Sequence, residues 1–194
     1  ASGRPEDIDF VNRESGWILT RSMWLYRTMD GGATWERLGR PLSSGAYIDF
    51  PDMDFVDTQN GWSGVWSTQD GGQTWIQRPP PYGGYFGPAY FINPAEGWLM
   101  GGESLSSRVS ERRIYHTVDG GNTWDIEWQI QTADWASQGR TAIALTYIGY
   151  DEATGAVWAG GQPGLLLKRF IIAPPTAVSP AGKRPVMWGW LKRL

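Results

Sequence analysis

The chain has no cysteine and a single histidine, His116. The first absence excludes disulfides, thiol nucleophiles and thiolate metal sites. The second leaves no histidine pair for a metal or a proton relay, and a lone histidine in a strand-like stretch reads as structural. There is no apolar run of 18 residues, so no membrane-spanning helix is written in the sequence. No Gly-x-Ser-x-Gly, P-loop or dinucleotide fingerprint occurs. Acids outnumber bases by 20 to 17, and Lys168, Arg169, Lys183, Arg184, Lys192 and Arg193 all lie in residues 168–194, which hold no acid. The rest of the chain is therefore strongly acidic, which argues against nucleic acid as a partner, since phosphate binding needs a basic face.

What the chain does have is 13 tryptophans, 26 glycines and an octapeptide, Thr-x-Asp-Gly-Gly-x-Thr-Trp, that occurs three times. Its positions are Thr28, Asp30, Gly32, Thr34 and Trp35; Thr68, Asp70, Gly72, Thr74 and Trp75; and Thr117, Asp119, Gly121, Thr123 and Trp124. Asp-Gly between apolar alternations is a strong hairpin signal, and glycine takes positive φ without a Cβ clash. The aspartate is expected to accept backbone N–H bonds of its own turn as a buried acceptor, with the threonines bonding across the turn. The tryptophan supplies an apolar face at the start of the next strand. None of these tasks needs a substrate.

A second element precedes each octapeptide: an apolar strand, a turn and Gly-Trp. The copies are Ile8–Val11 with Gly16-Trp17, Met53–Val56 with Gly61-Trp62, and Tyr90–Ile92 with Gly97-Trp98. A fourth copy is read at Tyr147–Tyr150 with Gly155–Trp158, followed by strand-like Leu165–Leu167 but by no fourth octapeptide. Each unit thus reads as a four-stranded antiparallel meander. The repeated aspartates are 40 and then 49 residues apart, and four-stranded propeller blades repeat at roughly 40–50 residues. The fold expected is all-β: a propeller-like arc of about four four-stranded blades over residues 1–170. The middle hairpin of the second unit must be very short, and the polar stretch between Gly101 and Arg113 is expected to be a loop. Most tryptophans should be core.

These octapeptides resemble the Asp-box, or BNR, repeat, Ser/Thr-x-Asp-x-Gly-x-Thr-Trp, which marks the turn between the third and fourth strands of a blade. The longer pattern, with Phe-Val-Asp or Phe-Ile-Asn and then Gly-Trp before the box, is most similar to the photosystem II stability/assembly factors. That resemblance implies a non-catalytic subunit docking on reaction-centre subunits at the extracytoplasmic face of a membrane, with no cofactor and no metal. The family's propellers have seven blades, and this chain holds about four units. Asp boxes also occur in sialidases and other glycosidases, so a carbohydrate-binding or glycosidase-related fragment is the alternative, with Tyr82, Tyr85 and Phe86 as candidate platforms. The Phe/Tyr-Arg-Ile-Pro signature of sialidases is absent.

Residues 171–194 change in character. A Pro-rich spacer from Ala173 to Gly182 precedes a terminus bearing Lys183, Arg184, Trp188, Trp190, Lys192 and Arg193. Two indoles beside a Lys-Arg pair suit a membrane interface or a membrane complex; packing back on the domain or on a protein partner is the other reading. The chain starts almost directly at its first strand, and removal of a leader is compatible with that. Of the remaining candidates, Asp49, Asp52, Asp54 and Asp57 lack the spacing of a calcium loop and read as solvated turn and strand ends. Thr132–Gly139 is either a helical turn or two, or a plain loop.

Overall fold

The computed structural model describes residues 4–40, 52–80, 84–104, 110–131, 144–151, 153–162 and 165–170. These form four antiparallel sheets in which every strand pairs with its neighbour in sequence. The first sheet holds β1 (Pro5–Phe10), β2 (Gly16–Thr20), β3 (Leu25–Thr28) and β4 (Glu36–Gly39). The second holds β5 (Asp54–Phe55), β6 (Gly61–Ser63), β7 (Trp66–Thr68) and β8 (Ile76–Gln77). The third holds β9 (Tyr85–Phe91), β10 (Gly97–Ser104), β11 (Ser110–Thr117) and β12 (Asp125–Gln131). The fourth has three strands among the described residues: β13 (Ala144–Asp151), β14 (Ala156–Gln162) and β15 (Leu165–Phe170). Each Asp box joins the third strand of its sheet to the fourth. The first strands are neighbours in space, β1 against β5, β5 against β9 and β9 against β13. Each sheet is thus a blade of a propeller-like arc.

The core is an aromatic chain that crosses from blade to blade. Trp17 of the first blade lies flat on Phe55 of the second, with ring centroids 3.7 Å apart and planes 3° from parallel. Trp62 of the second lies on Phe91 of the third at 3.7 Å and 9°. Each phenylalanine also meets the box tryptophan of its own blade edge-on, Phe55 with Trp75 at 6.0 Å and Phe91 with Trp124 at 6.1 Å. Both stacked and edge-on contacts are favoured orientations for aromatic quadrupoles. The glycine of each Gly-Trp pair stands opposite the phenylalanine of its own blade: Gly16 opposite Phe10, Gly61 opposite Phe55, Gly97 opposite Phe91. A Cβ there would sit 2.4–2.6 Å from ring carbons, so the ring occupies the space that any other residue needs. Trp17, Trp62, Trp66, Trp98 and Trp124 are buried, and Trp24, Trp35, Trp75, Trp128 and Trp158 are half-buried.

Two sequence expectations are corrected. In the fourth blade Ala156 pairs with Asp151 and Val157 with Tyr150. By register Val157, not Trp158, takes the place of the Gly-Trp indoles, Ala156 replaces the glycine and Asp151 the phenylalanine. Without a ring opposite, alanine fits. The junction of blades three and four is accordingly a separate, smaller cluster of Trp98, Ile114, Val157 and Ala159 with Ile148 and Tyr150 packed on it. Second, much of the stretch expected as a loop between Gly101 and Arg113 extends the β10–β11 hairpin, paired from Gly97↔Thr117 out to Ser104↔Ser110. The short hairpin of the second unit is as expected, with Ser63 paired to Trp66 across Gly64-Val65.

Gly61→Ala is expected to cost about 1–3 kcal/mol, because Phe55 is clamped between Trp17 and Trp75 and cannot step aside. Gly149→Ala, where the added methyl meets nothing within 4 Å, is expected to stay within about 0.5 kcal/mol. Denaturant midpoints at unchanged m-value measure both.

Candidate docking surface

The three boxes are superimposable hydrogen-bond cages. In the first, Thr28 Oγ1 donates to Asp30 Oδ1 (2.8 Å) and accepts from Gly32 N–H (2.9 Å). Asp30 Oδ1 accepts Thr34 N–H (2.8 Å) and Oδ2 accepts the Thr34 hydroxyl (2.5 Å). The same bonds join Thr68, Asp70, Gly72 and Thr74, and Thr117, Asp119, Gly121 and Thr123. Both glycines of every box have positive φ, 72–73° and then 88–92°. The box indoles of Trp35 and Trp75 donate to Gly32 O and Gly72 O, whereas Trp124 donates to Arg78 O of the preceding blade.

The acceptor in these cages is not buried, contrary to the sequence expectation: Asp30 is exposed and Asp70 and Asp119 only partly covered. The buried member is the first threonine, at 1–2% exposure in all three. The Thr34 hydroxyl and N–H and the Thr28 hydroxyl hold the Asp30 carboxyl down at about 2. At Asp70 and Asp119 desolvation pushes upward, but the bonds from the flanking threonines outweigh it and both carboxyls are lowered. The threonine and aspartate side chains of each motif are thus engaged in their own turn.

The boxes also receive the neighbouring blade. Trp17 Nε1 donates to Gly71 O (2.9 Å) and Trp62 Nε1 to Gly120 O (3.2 Å). Beside each indole a carboxylate reaches the same neighbour. Asp9 Oδ2 accepts Phe55 N–H (2.6 Å), and Asp54 Oδ2 accepts Phe91 N–H (2.6 Å). Asp54 is therefore a buried latch, not the solvated strand end that the sequence suggested. Asp57 does act as a turn residue, accepting Gln59 N–H and Asn60 N–H; Asp49 lies outside the described residues. A second bond from Met53 N–H to Asp7 Oδ2 (2.7 Å) brings Asp7 close to Asp52. Burial, then the charges of Asp7 and Asp54, push the Asp52 carboxyl well up, and burial raises Asp7 against the bonds it accepts. Two carboxylates facing each other across a partly dry seam disfavour double ionisation, so Asp7 pushes the Asp52 carboxyl toward its protonated form.

At the third blade the pattern ends. The fourth blade offers no box carbonyl, and Trp98 Nε1 turns back to Glu127 Oε2 of its own blade (3.1 Å). His116 stacks on Trp98 with centroids 4.9 Å apart, its Nε2 3.2 Å from Glu96 Oε1 and its Nδ1 3.7 Å from Glu127 Oε2. The histidine is a packing and hydrogen-bonding element of that substitute. Among the described residues no group of three His, Asp or Glu side chains is placed to hold a metal ion.

Of the other candidates, Tyr85 carries the Arg112 guanidinium 4.9 Å from its ring centroid, and Phe86 packs against Tyr115 at 6.1 Å. Neither is a bare platform. Tyr82, residues 132–139, and Lys183, Arg184, Trp188, Trp190, Lys192 and Arg193 lie outside the described residues. The sequence reading missed the buried ion pair of Arg113 Nη2 with Glu111 Oε2 (2.6 Å), to which Tyr115 adds its hydroxyl. The signal was the spacing of Glu111 and Arg113, which places both on one face of a strand but not of a loop.

No family model matches the chain. In sequence it is similar to the photosystem II assembly lipoprotein Ycf48 of Synechococcus sp. (strain CC9902), 25% identical over 132 residues, covering 62% of this chain and 36% of that protein. In structure it resembles YCF48 bound to D1 peptide, with a TM-score of 0.51 and 21% identity over 83% of this chain and 49% of that one. It also resembles YCF48 from Cyanidioschyzon merolae, with a TM-score of 0.59 and 18% identity over 88% of this chain and 54% of that one. The chain spans about half or less of the length of these relatives. The Asp-box propeller architecture and the resemblance to the photosystem II assembly factors stand on sequence and fold together.

Thr68→Val is expected to cost about 1–3 kcal/mol, because it strands a buried N–H at Gly72; thermal or denaturant unfolding measures it. The pH profile should have two limbs. Asp30, Asp70 and Asp119 have folded pKa values below the unfolded 3.8, so their contribution is present above about pH 4 and lost as pH falls through the folded values, about 2 for Asp30. Asp52 and Asp7 are raised, so their seam favours the folded state below 3.8 and loses that advantage as pH rises through their folded values. Asp52→Asn should flatten the decline in melting temperature as pH rises above 3.8.

Proposed function

We propose that this chain is a non-catalytic structural or assembly subunit that docks on the extracytoplasmic face of a membrane protein complex, above all a photosynthetic reaction centre. The observation that carries the proposal is its sequence similarity to a photosystem II assembly lipoprotein over 62% of the chain. A solved YCF48 of the same fold is bound to a D1 peptide, and a reaction-centre polypeptide is the corresponding partner proposed here, by analogy of fold and sequence. The chemistry supports a scaffold: the repeated polar residues are engaged in turns and blade junctions, and no box group is left facing a substrate.

The second contact is the basic terminus. Lys183, Arg184, Lys192 and Arg193 would each contribute on the order of 1 kcal/mol near an anionic leaflet, and the indoles of Trp188 and Trp190 suit headgroup depth. The protein would thus lie peripheral to the membrane, in the periplasm or lumen.

The test is fractionation and mild-detergent purification of the tagged chain from photosynthetic membranes. The expected result is recovery with membranes and co-purification of reaction-centre subunits, with a chain truncated after Gly182 released into the soluble fraction. Full membrane retention of the truncated chain would remove the tail as an anchor. Absence of any reaction-centre subunit would contradict the docking.

A further inference from the structure

The turn ahead of each Gly-Trp pair follows one plan, and the second copy departs from it at two positions together. In the first and third blades an asparagine opens the turn. Asn12 Oδ1 accepts the N–H groups of Glu14 and Ser15, and Asn93 Oδ1 those of Ala95 and Glu96, all at 2.8 Å. In the second blade the opener is Asp57, whose Oδ1 accepts Gln59 N–H and Asn60 N–H at 2.7 Å. It also holds the Asn60 side-chain amide with both oxygens, Oδ1 at 3.1 Å and Oδ2 at 2.9 Å. The residue before the glycine is Ser15 or Glu96 in the other two turns, and no other asparagine of the chain precedes a glycine. Asn-Gly is the asparagine bond most prone to deamidation, because glycine puts no side chain in the way of ring closure. Both reacting groups of this bond are engaged. Asp57 grips the amide. Val56 N–H donates to Asn60 O (3.1 Å), so Phe55 and Gly61 form a non-hydrogen-bonded pair, and the Gly61 nitrogen points away from β5 toward Thr68 of β7. The turn is tied to the first blade through the box: Gly71 N–H donates to Gln59 O (2.9 Å), and Gly71 O accepts Trp17 Nε1 (2.9 Å).

We propose that Asn60-Gly61 is a deamidation site gated by the junction of the first two blades, closed while Trp17 holds the box and the box holds the turn, and open once that line is broken. In the reaction the Gly61 nitrogen attacks Asn60 Cγ. The N–Cγ bond forms, the Cγ–Nδ2 bond breaks, and the amide leaves as ammonia with the proton of the Gly61 N–H. Water then opens the succinimide ring. Attack at Cγ gives aspartate. Attack at the backbone carbonyl of residue 60 gives isoaspartate, whose main chain runs through Cγ and is longer by one carbon. Neither product fits back into the turn. Aspartate sets a second carboxylate against Asp57, where the amide had donated. Isoaspartate displaces Gly61, which stands so close under the Phe55 ring that a Cβ would lie 2.5 Å from it. The second blade has strands of only two or three residues and opens locally when its neighbour lets go. Deamidation makes that opening one-way.

The experiment follows Asn60 in the full chain at neutral pH by peptide mapping, which reads deamidation as the mass gain from amide to acid and isoaspartate as a separately eluting peptide. Loss of the amide in the folded chain is expected to be slower by about tenfold or more than in the same chain held in urea. Trp17→Phe keeps an aromatic ring against Phe55 but removes the donor to Gly71 O. Asp57→Asn keeps the acceptor that opens the turn, as Asn12 and Asn93 do, but not the two-oxygen grip. Each is expected to speed the loss by about threefold or more while Asn122, in the third box, is unaffected. Equal rates in the folded and unfolded chains would overturn the proposal. So would a folded rate that neither variant changes, because the fold at large and not the junction would then be the gate. Acceleration at Asn122 in step with Asn60 would mean general unfolding and would count against it equally. The consequence is read from Asn60→Asp, whose melting temperature should fall by about 2 °C or more; an unchanged value would show the modification to be silent and remove the one-way step.

Discussion

An indole laid flat on a phenylalanine of the next blade, with a carboxylate beside it on that phenylalanine's own N–H, holds this chain together. A single four-stranded meander of this size has too little apolar surface to stand alone, and the second blade has strands of only two or three residues. Its stability must come from its neighbours. Stacking is worth about 0.5–1.5 kcal/mol beyond burial, and a hydrogen bond to a charged acceptor about 1.5–3 kcal/mol. Two such junctions therefore amount to several kcal/mol, comparable to the whole stability of a domain. The blades fold as an array in which each completes the one after it.

The Asp box makes that array possible by fixing a carbonyl. The cage of two threonines and an aspartate sets both glycines at positive φ, and this presents the carbonyl of the first glycine to the indole of the preceding blade. A box is therefore the receiving part of a junction as well as a turn. Where the fourth blade lacks a box, Trp98 finds its acceptor within its own blade, at Glu127, and a histidine is stacked on it. The arc thus has two junctions of one kind and a third of another.

Much of this was legible in the sequence because the repeated residues have local tasks. Asp-Gly-Gly dictates its turn wherever it stands, and the three boxes, the strand order and the short second hairpin all derive from it. The carboxylate latch was not legible. Asp9 and Asp54 bond to backbone N–H groups of another blade, and a backbone donor leaves no mark on the residue that carries it. The burial of Arg113 with Glu111 was hidden for another reason: a charged partner two residues away faces the same side only in a strand, and the polar stretch read as a loop. In the fourth blade a visible tryptophan drew the alignment to Trp158. The signal lay in the pair Asp151 and Ala156, where loss of the ring and loss of the glycine go together.

The most direct test of the junction as the source of stability is a double-mutant cycle on Trp62→Leu and Phe91→Leu, read from denaturant unfolding. If the stack joins the blades, the two losses are non-additive, with a coupling energy of about 0.5–1.5 kcal/mol. If they add to within about 0.3 kcal/mol, the rings act only as separate apolar volumes and the account of the blade junction is wrong.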